Sequence, residues 1–359
     1  MKYIALLSLV LACGGTAASS PSQPNDSGTP DAFTEPTCAS IGAPVNVVAS
    51  DDLGYPTYAI RGCRMAYVDS KNQNLVLRDL TTGVETTLEL AVNKPKRPSI
   101  ASDVVAWEVT LPNPDYSYQS VRALYGGATH FIDAPPGYGS IGEPAVARGI
   151  VVVTAFKTNA FDTDTDVFAF DVASNKLTPV VVAPSQQRFA AVSDGLVAVT
   201  DFSEDPNGYF SGSGNDLADI GVFKRAAQTY EVRKHPGKDA FPTIISGDVL
   251  GYLHWGDVHP EPKLEAYSLY TARVSASPST DARVADVVNA VRYLRPSASA
   301  GSLEWVTTTL NAGSILWRSN LVASPVIALE LKTETMFAPA SFETGTLVAR
   351  NGALVVVAR

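Results

Sequence analysis

Histidine is scarce in this chain, with four in 359 residues. Cysteine numbers three, with no C-x-x-C pair and no Cys/His cluster, which argues against a structural zinc module. No segment approaches the ~18 consecutive apolar residues of a membrane span. Lys and Arg total 27 against 36 Asp and Glu, a formal net charge of −9. That balance argues against nucleic acid and against an anionic membrane surface as partners. No G-x-S-x-G elbow, Walker A motif or sialidase-type Asp box occurs, so nucleophilic catalysis has no support in the sequence. Residues 137–142, GYGSIG, match G-x-G-x-x-G letter for letter, but Pro135-Pro136 precede them and Pro144 follows. A dinucleotide fingerprint needs a strand before it and a helix behind it, so this stretch reads as a turn between repeats.

What is present begins with MKYIALLSLVLACGG. One lysine and a short apolar stretch, too short to span a bilayer, end in Val10-Leu11-Ala12-Cys13. This resembles a bacterial lipoprotein signal. The resemblance implies a signal peptide over 1–12, lipid on Cys13, and a protein held at the membrane through that anchor alone. Gly14 behind the cysteine fits sorting to the outer membrane, on its periplasmic or surface face. Residues 13–43 are small, polar and Pro-rich and read as a flexible tether. In an exported chain the remaining Cys38 and Cys63 are either a disulfide or two free thiols. A bridge would stabilise by about 3 kcal/mol in the chain-entropy view.

Residues 44–359 carry a repeat. A Pro recurs every 42–54 residues, at Pro56, Pro98, Pro144, Pro242, Pro296 and Pro339, with Phe189 in its place once. Each copy continues into Gly or Asp and a β-rich run, as in PSIASDVVAWEV and PAVARGIVVVTA. A second alternating run follows, such as NLVLRDL or DVFAFDV, then a tight turn and a further strand. Four short β segments per repeat predict an all-β, seven-bladed propeller of four-stranded antiparallel blades. The last repeat supplies three strands, and Pro44–Ala49 is placed to supply the fourth and close the ring. Six blades plus a β-extension is the alternative. PTIISGDVLGYLHW, LVLRDLTTG and DVFAFDV resemble the TolB-like propeller repeat and its surface-protein variant. That resemblance implies the fold over the whole of 44–359 and leaves function open, since such propellers include binding platforms and some polysaccharide lyases.

In a four-stranded blade the connection between strands two and three shares a face with the connections between blades. The long excursions of this chain fall there, and residues 271–295 read as a further long inter-blade connection. Folding needs only short turns, so this face is the expected binding face. Tyr116, Tyr118, Tyr209, Phe210 and Trp255 are candidates for stacking on a sugar or peptide, with Asp201, Glu204 and Asp205 beside them. Asp162, Asp164 and Asp166 form a D-x-D-x-D run of hard oxygen ligands suited to Ca2+. The EF-hand pattern fails at Val167 and Ala173, and a solvated turn explains the run equally. In GYLHWGDVHPEP, His254, Asp257, His259 and Glu261 suit a divalent transition metal.

These features predict a lipid-anchored, monomeric envelope propeller that binds a protein or polysaccharide, with no catalytic residue and no cofactor assigned. A metal-dependent polysaccharide lyase or hydrolase using the His254–Glu261 loop is the second reading, and a structural envelope component the third.

Overall fold

In the computed structural model the described residues are 38, 45–48, 56–112, 117–158, 163–205, 207–208, 217–235, 237–255, 265–278, 281–290, 296–299, 301–309, 313–320, 325–331, 336, 339–342, 345–350 and 352–358. They belong to one compact unit spanning Glu35–Arg359. Among them, no helix is long and apolar enough to cross a membrane.

The chain forms seven four-stranded antiparallel blades. It opens with β1 (Val45–Asn46), which belongs to the last blade. Blade 1 is β2 (Tyr58–Arg61), β3 (Arg64–Val68), β4 (Leu75–Asp79) and β5 (Glu85–Glu89). Blade 2 is β6 (Lys96–Ile100), β7 (Val104–Pro112), β8 (Ser117–Tyr125) and β9 (Ala128–Ile132). Blade 3 is β10 (Tyr138–Ala147), β11 (Ile150–Lys157), β12 (Thr165–Asp171) and β13 (Lys176–Val181). Blade 4 is β14 (Gln187–Val192), β15 (Leu196–Asp201), β16 (Asp219–Lys224) and β17 (Thr229–Arg233). Blade 5 is β18 (Lys238–Ser246), β19 (Val249–Trp255), β20 (Glu265–Arg273) and β21 (Ala282–Ala290). Blade 6 is β22 (Ser297–Ser299), β23 (Ser302–Thr309), β24 (Gly313–Ser319) and β25 (Val326–Leu331). Blade 7 is β26 (Ala340–Phe342), β27 (Gly345–Arg350) and β28 (Ala353–Ala358), completed by β1. Val45 pairs with Leu354 and Asn46 with Ala353, so the N-terminal strand closes the ring as expected.

The core is a set of apolar clusters between neighbouring blades. Ala66 and Val68 of blade 1 meet Val105 and Trp107 of blade 2. Val152 and Val167 of blade 3 meet Val197 and Val199 of blade 4. Val45 and Leu347 of blade 7 meet Tyr58 and Met65 of blade 1. A blade is thus covered on both faces, which explains why second strands such as β11 and β15 are apolar almost throughout. Outer strands face solvent, with β17 alternating exposed and half-buried residues and β5 exposed over its first three.

The recurrent proline has a defined place. The pairing of the first two strands skips residues 97–98, 143–144, 189–190 and 241–242. At each bulge the first residue, Arg97, Glu143, Phe189 or Phe241, is left-handed, with φ between 52° and 61°. The next is Pro98, Pro144, Ala190 or Pro242. Proline fits there because a bulge needs no ladder N–H. Blade 4 therefore carries Ala190 in the proline slot, one residue beyond the expected Phe189. The left-handed residues are fixed from the preceding blade. Glu143 N–H donates to Glu108 (2.9 Å), Phe189 N–H to Glu143 (3.2 Å) and Phe241 N–H to Thr200 (3.0 Å).

Two further expectations are corrected. Residues 271–290 are not a long inter-blade connection, because 271–273 end β20 and Ala282–Ala290 form the outer strand β21; 291–295 lie outside the described residues. Residues 138–142 of the G-x-G-x-x-G match lie within β10, with a turn only at its start.

Cys38 and Cys63 form a disulfide with a Cα–Cα distance of 5.2 Å. Val47 N–H donates to Gly352 and Val48 N–H to Val68, so the N-terminal segment bonds both to blade 7 and to blade 1.

Candidate functional site

The two faces of the ring differ in the length of their connections. On one face, first and second strands are joined by turns such as Gly62-Cys63, Arg148-Gly149 and Gly247-Asp248. The other face carries the connections between second and third strands: 158–164 in blade 3, 202–218 in blade 4 and 256–264 in blade 5. The connections between blades emerge there too, including 234–237 between blades 4 and 5. The expected asymmetry is therefore present in the strand boundaries.

On this long-loop face, at the junction of blades 4 and 5, the structure assembles His235, Asp239 and His254. Asp239 is the second residue of β18 and His254 the last but one of β19, and the two are directly paired across the strands. Their side chains share one face of the blade, and both are buried. His254 Nδ1 lies 2.6 Å from Asp239 Oδ1. His235, half-buried in the inter-blade connection, places its Nδ1 3.2 Å from His254 Nδ1 and 3.8 Å from Asp239 Oδ1. Tyr270 packs edge-on against His254 with ring centroids 5.0 Å apart.

Blade 4 supplies the facing carboxylates. Asp219 accepts from the His235 backbone N–H (3.1 Å). Burial pushes Asp219 up to about 6; the His235 N–H opposes this, and the charges of Asp239, Glu204 and Asp201 add to it. Burial likewise raises Asp239, against the favourable bond and charge of His254. Of the basic residues at this junction, Lys234 pairs with Glu204 and Arg233 with Asp281. Lys238 precedes Asp239 in β18 and so projects to the opposite face of the blade.

The sequence-predicted residues fall into distinct settings. Asp201, at the end of β15, accepts the Tyr230 hydroxyl and the Ser203 N–H. Asp205 is a loop clip, with one oxygen accepting from Asn207 (2.7 Å) and Gly208 (3.0 Å) and the other from Leu217 (2.7 Å). Glu204 is exposed beside Lys234. Asp164 and Asp166 both face Lys157, whose Nζ lies 2.9 Å and 3.3 Å from them. Asp166 also accepts from Tyr138 and from Ala183 N–H (3.1 Å). The positive charge between those two carboxylates is thus supplied by the chain itself. Tyr118 is half-buried in β8, and the Trp255 backbone pairs with Lys238. Cys13, Tyr116, Asp162, Tyr209, Phe210, Asp257, His259 and Glu261, with the Trp255 side chain, lie outside the described residues.

His254 is therefore joined to His235 and Asp239, which the sequence reading did not single out. Their signal was available only through topology, because a residue before a first strand and one ending a second strand meet on the same face.

A second polar assembly links the inner strands of blades 2–4. Fully buried Glu108 pairs with Lys96 (2.9 Å) and Arg97 (3.0 Å). Glu143 accepts from Arg188 Nε (3.1 Å) and Thr154 (3.0 Å). These cations are committed to carboxylates of the chain.

No known protein family and no curated protein matches the chain by sequence. Solved structures do. A chain of the mitotic checkpoint complex aligns over 98% of this chain and 100% of its own, at 9% identity and TM-score 0.57. The β-propeller domain of the Trilobed protease from Pyrococcus furiosus aligns over 82% and 91%, at 11% identity and TM-score 0.56. TolB from Acinetobacter baumannii aligns over 68% of this chain and 56% of its own, at 13% identity and TM-score 0.44. The chain thus spans little more than half the length of TolB. At these identities the likeness speaks for the propeller fold alone.

Proposed function

We propose that this protein is an envelope propeller, anchored through lipid on Cys13, that binds a protein or glycan partner as a monomer through its long-loop face. The observation that carries this reading is the concentration of connection length in adjoining blades 3–5, on the face where His235, Asp239 and His254 also meet. The opposite face joins first and second strands by turns of two or three residues, and its longest connection, 274–281 in blade 5, is eight residues against seventeen at 202–218 in blade 4. The Cys38–Cys63 disulfide supports an oxidising compartment.

The polysaccharide-enzyme reading is weaker for a physical reason. An anionic substrate needs uncommitted cations, yet Lys157, Lys234, Lys96, Arg97 and Arg188 all stand in ion pairs.

The test is retention of defined envelope proteins and a glycan panel on immobilised protein, before and after residues 206–216 are replaced by a short Gly-Ser turn. A partner retained by the parent and lost by the shortened form supports the assigned face. Retention that survives the change, or none at all, removes it. Cys13→Ser is expected to release the protein from membranes, and persistence in the membrane fraction would remove the anchor.

A further inference from the structure

We propose that His235, Asp239 and His254 form a binding site for one divalent first-row transition metal ion, zinc foremost, at the junction of blades 4 and 5. This inference does not depend on the binding-platform reading.

Geometry comes first. Three potential ligand atoms, two Nδ1 and one Oδ1, are separated by 2.6, 3.2 and 3.8 Å. The circle through them has a radius of about 1.9 Å, so a point slightly off their plane lies about 2.0 Å from all three, the length of a zinc–nitrogen or zinc–carboxylate bond. The ring centroids of His235 and His254 are 4.5 Å apart, farther than their Nδ1 atoms. The two nitrogens therefore lie on the facing sides of the rings.

Protons satisfy this arrangement only in part. With His254 Nδ1–H donating to Asp239 Oδ1 at 2.6 Å, the His235 Nδ1 lone pair faces an N–H that is already engaged. A cation at the shared point is met by all three atoms together.

The surroundings favour a cation as well. The charges of Asp239, Glu204 and Asp201 all act on Asp219, and that of Asp281 acts on Asp239. Two imidazoles and one carboxylate are the donor set of borderline metals rather than of Ca2+ or Mg2+. Burial of Asp239 and His254 fixes two ligands, while half-buried His235 leaves the site reachable from the long-loop face. Three protein ligands on tetrahedral zinc leave a fourth position for water or a partner's group.

The experiment uses the untagged full chain, stripped with EDTA and titrated with Zn2+, with Co2+ as a spectroscopic reporter and Ca2+ as a control. One equivalent of Zn2+ is expected to bind, Co2+ is expected to show the visible bands of a low-coordinate nitrogen–oxygen site, and Ca2+ is expected not to compete. His235→Ala touches the most exposed ligand and is expected to weaken Zn2+ by roughly 100-fold or more, beyond the 10–100-fold typical of an outer-shell change. Asp164→Asn, at the separate Lys157 pair, is expected to leave it unchanged. Thermal unfolding of His235→Ala without metal reports whether the fold is intact, and His235→Gln serves if it is not. Absence of Zn2+ binding, or less than tenfold weakening in the folded variant, overturns the site.

Discussion

Tyr230, in the outer strand of blade 4, reaches across Gly221 of the third strand to donate its hydroxyl to Asp201 in the second. Three strands are tied by one side chain, and the tie exists because residue 221 has no Cβ. A Cβ there would sit 2.0 Å from the hydroxyl oxygen. Gly221→Ala is expected to displace Tyr230, leave buried Asp201 short of a donor, and destabilise by roughly 2–4 kcal/mol. Chemical denaturation reads this directly, and a loss under about 1 kcal/mol would show that the ring moves aside at little cost.

Glu143 and Glu85 both pair with arginine but differ in setting. Glu143 is buried and holds Arg188, Thr154 and the Phe189 N–H. Removing it strands a half-buried guanidinium and the N–H of a left-handed residue, so Glu143→Ala is expected to cost roughly 3–5 kcal/mol. Glu85 meets Arg78 and accepts the Tyr67 hydroxyl (2.9 Å) with its own side chain 48% exposed, so Glu85→Ala is expected to cost only about 1–2 kcal/mol. Equal losses in urea midpoint would contradict this account.

Asp219 makes stability depend on pH near neutrality. Its value is raised to about 6 in the folded chain, so the folded state holds the proton more tightly than the unfolded state. Its contribution is therefore most favourable below the usual carboxylate range and is lost as pH rises through about 6. In EDTA-treated protein, Asp219→Asn is expected to gain stability relative to the parent as pH rises between about pH 4 and pH 6. A difference between the two that stays constant across that window would refute the shift.

Cys63→Ser releases the crosslink to Cys38. The expected loss is about 3 kcal/mol in the chain-entropy view, matched by adding reductant to the parent chain. A variant insensitive to reductant and as stable as the oxidised parent would place the bridge outside the folding energetics.

The ring was legible because its punctuation is chemical. Proline recurs where the inner strand bulges and no N–H is required, and blades 2, 3 and 5 show this with Pro98, Pro144 and Pro242. In blade 4 the reading slipped by one residue, because Phe189 resembled a strand opener while Ala190 held the slot. Residues 282–290 were read as a connection because outer strands need only partial apolar character, and ARVADVVNA offers little more. The metal-like trio was half visible. His254 stood out by its scarcity, but its neighbours in sequence are not the partners the structure shows. His235 and Asp239 reach it through a strand pairing and a blade junction, which local spacing does not encode. Glu108 and Glu143 were hidden for a similar reason, since their arginines come from other strands.

The pairing of Val45 with Leu354 also sets an order of events in folding. The contact spans more than three hundred residues, and bringing such distant ends together costs about 5 kcal/mol of loop-closure entropy before any contact rewards it. The first six blades have only short-range partners within themselves and can form as each is completed. The seventh is complete only when it pairs with a strand more than three hundred residues away in sequence, so closure is expected to be the slow step. Until then the outermost edge of the last blade remains open to any strand that finds it first.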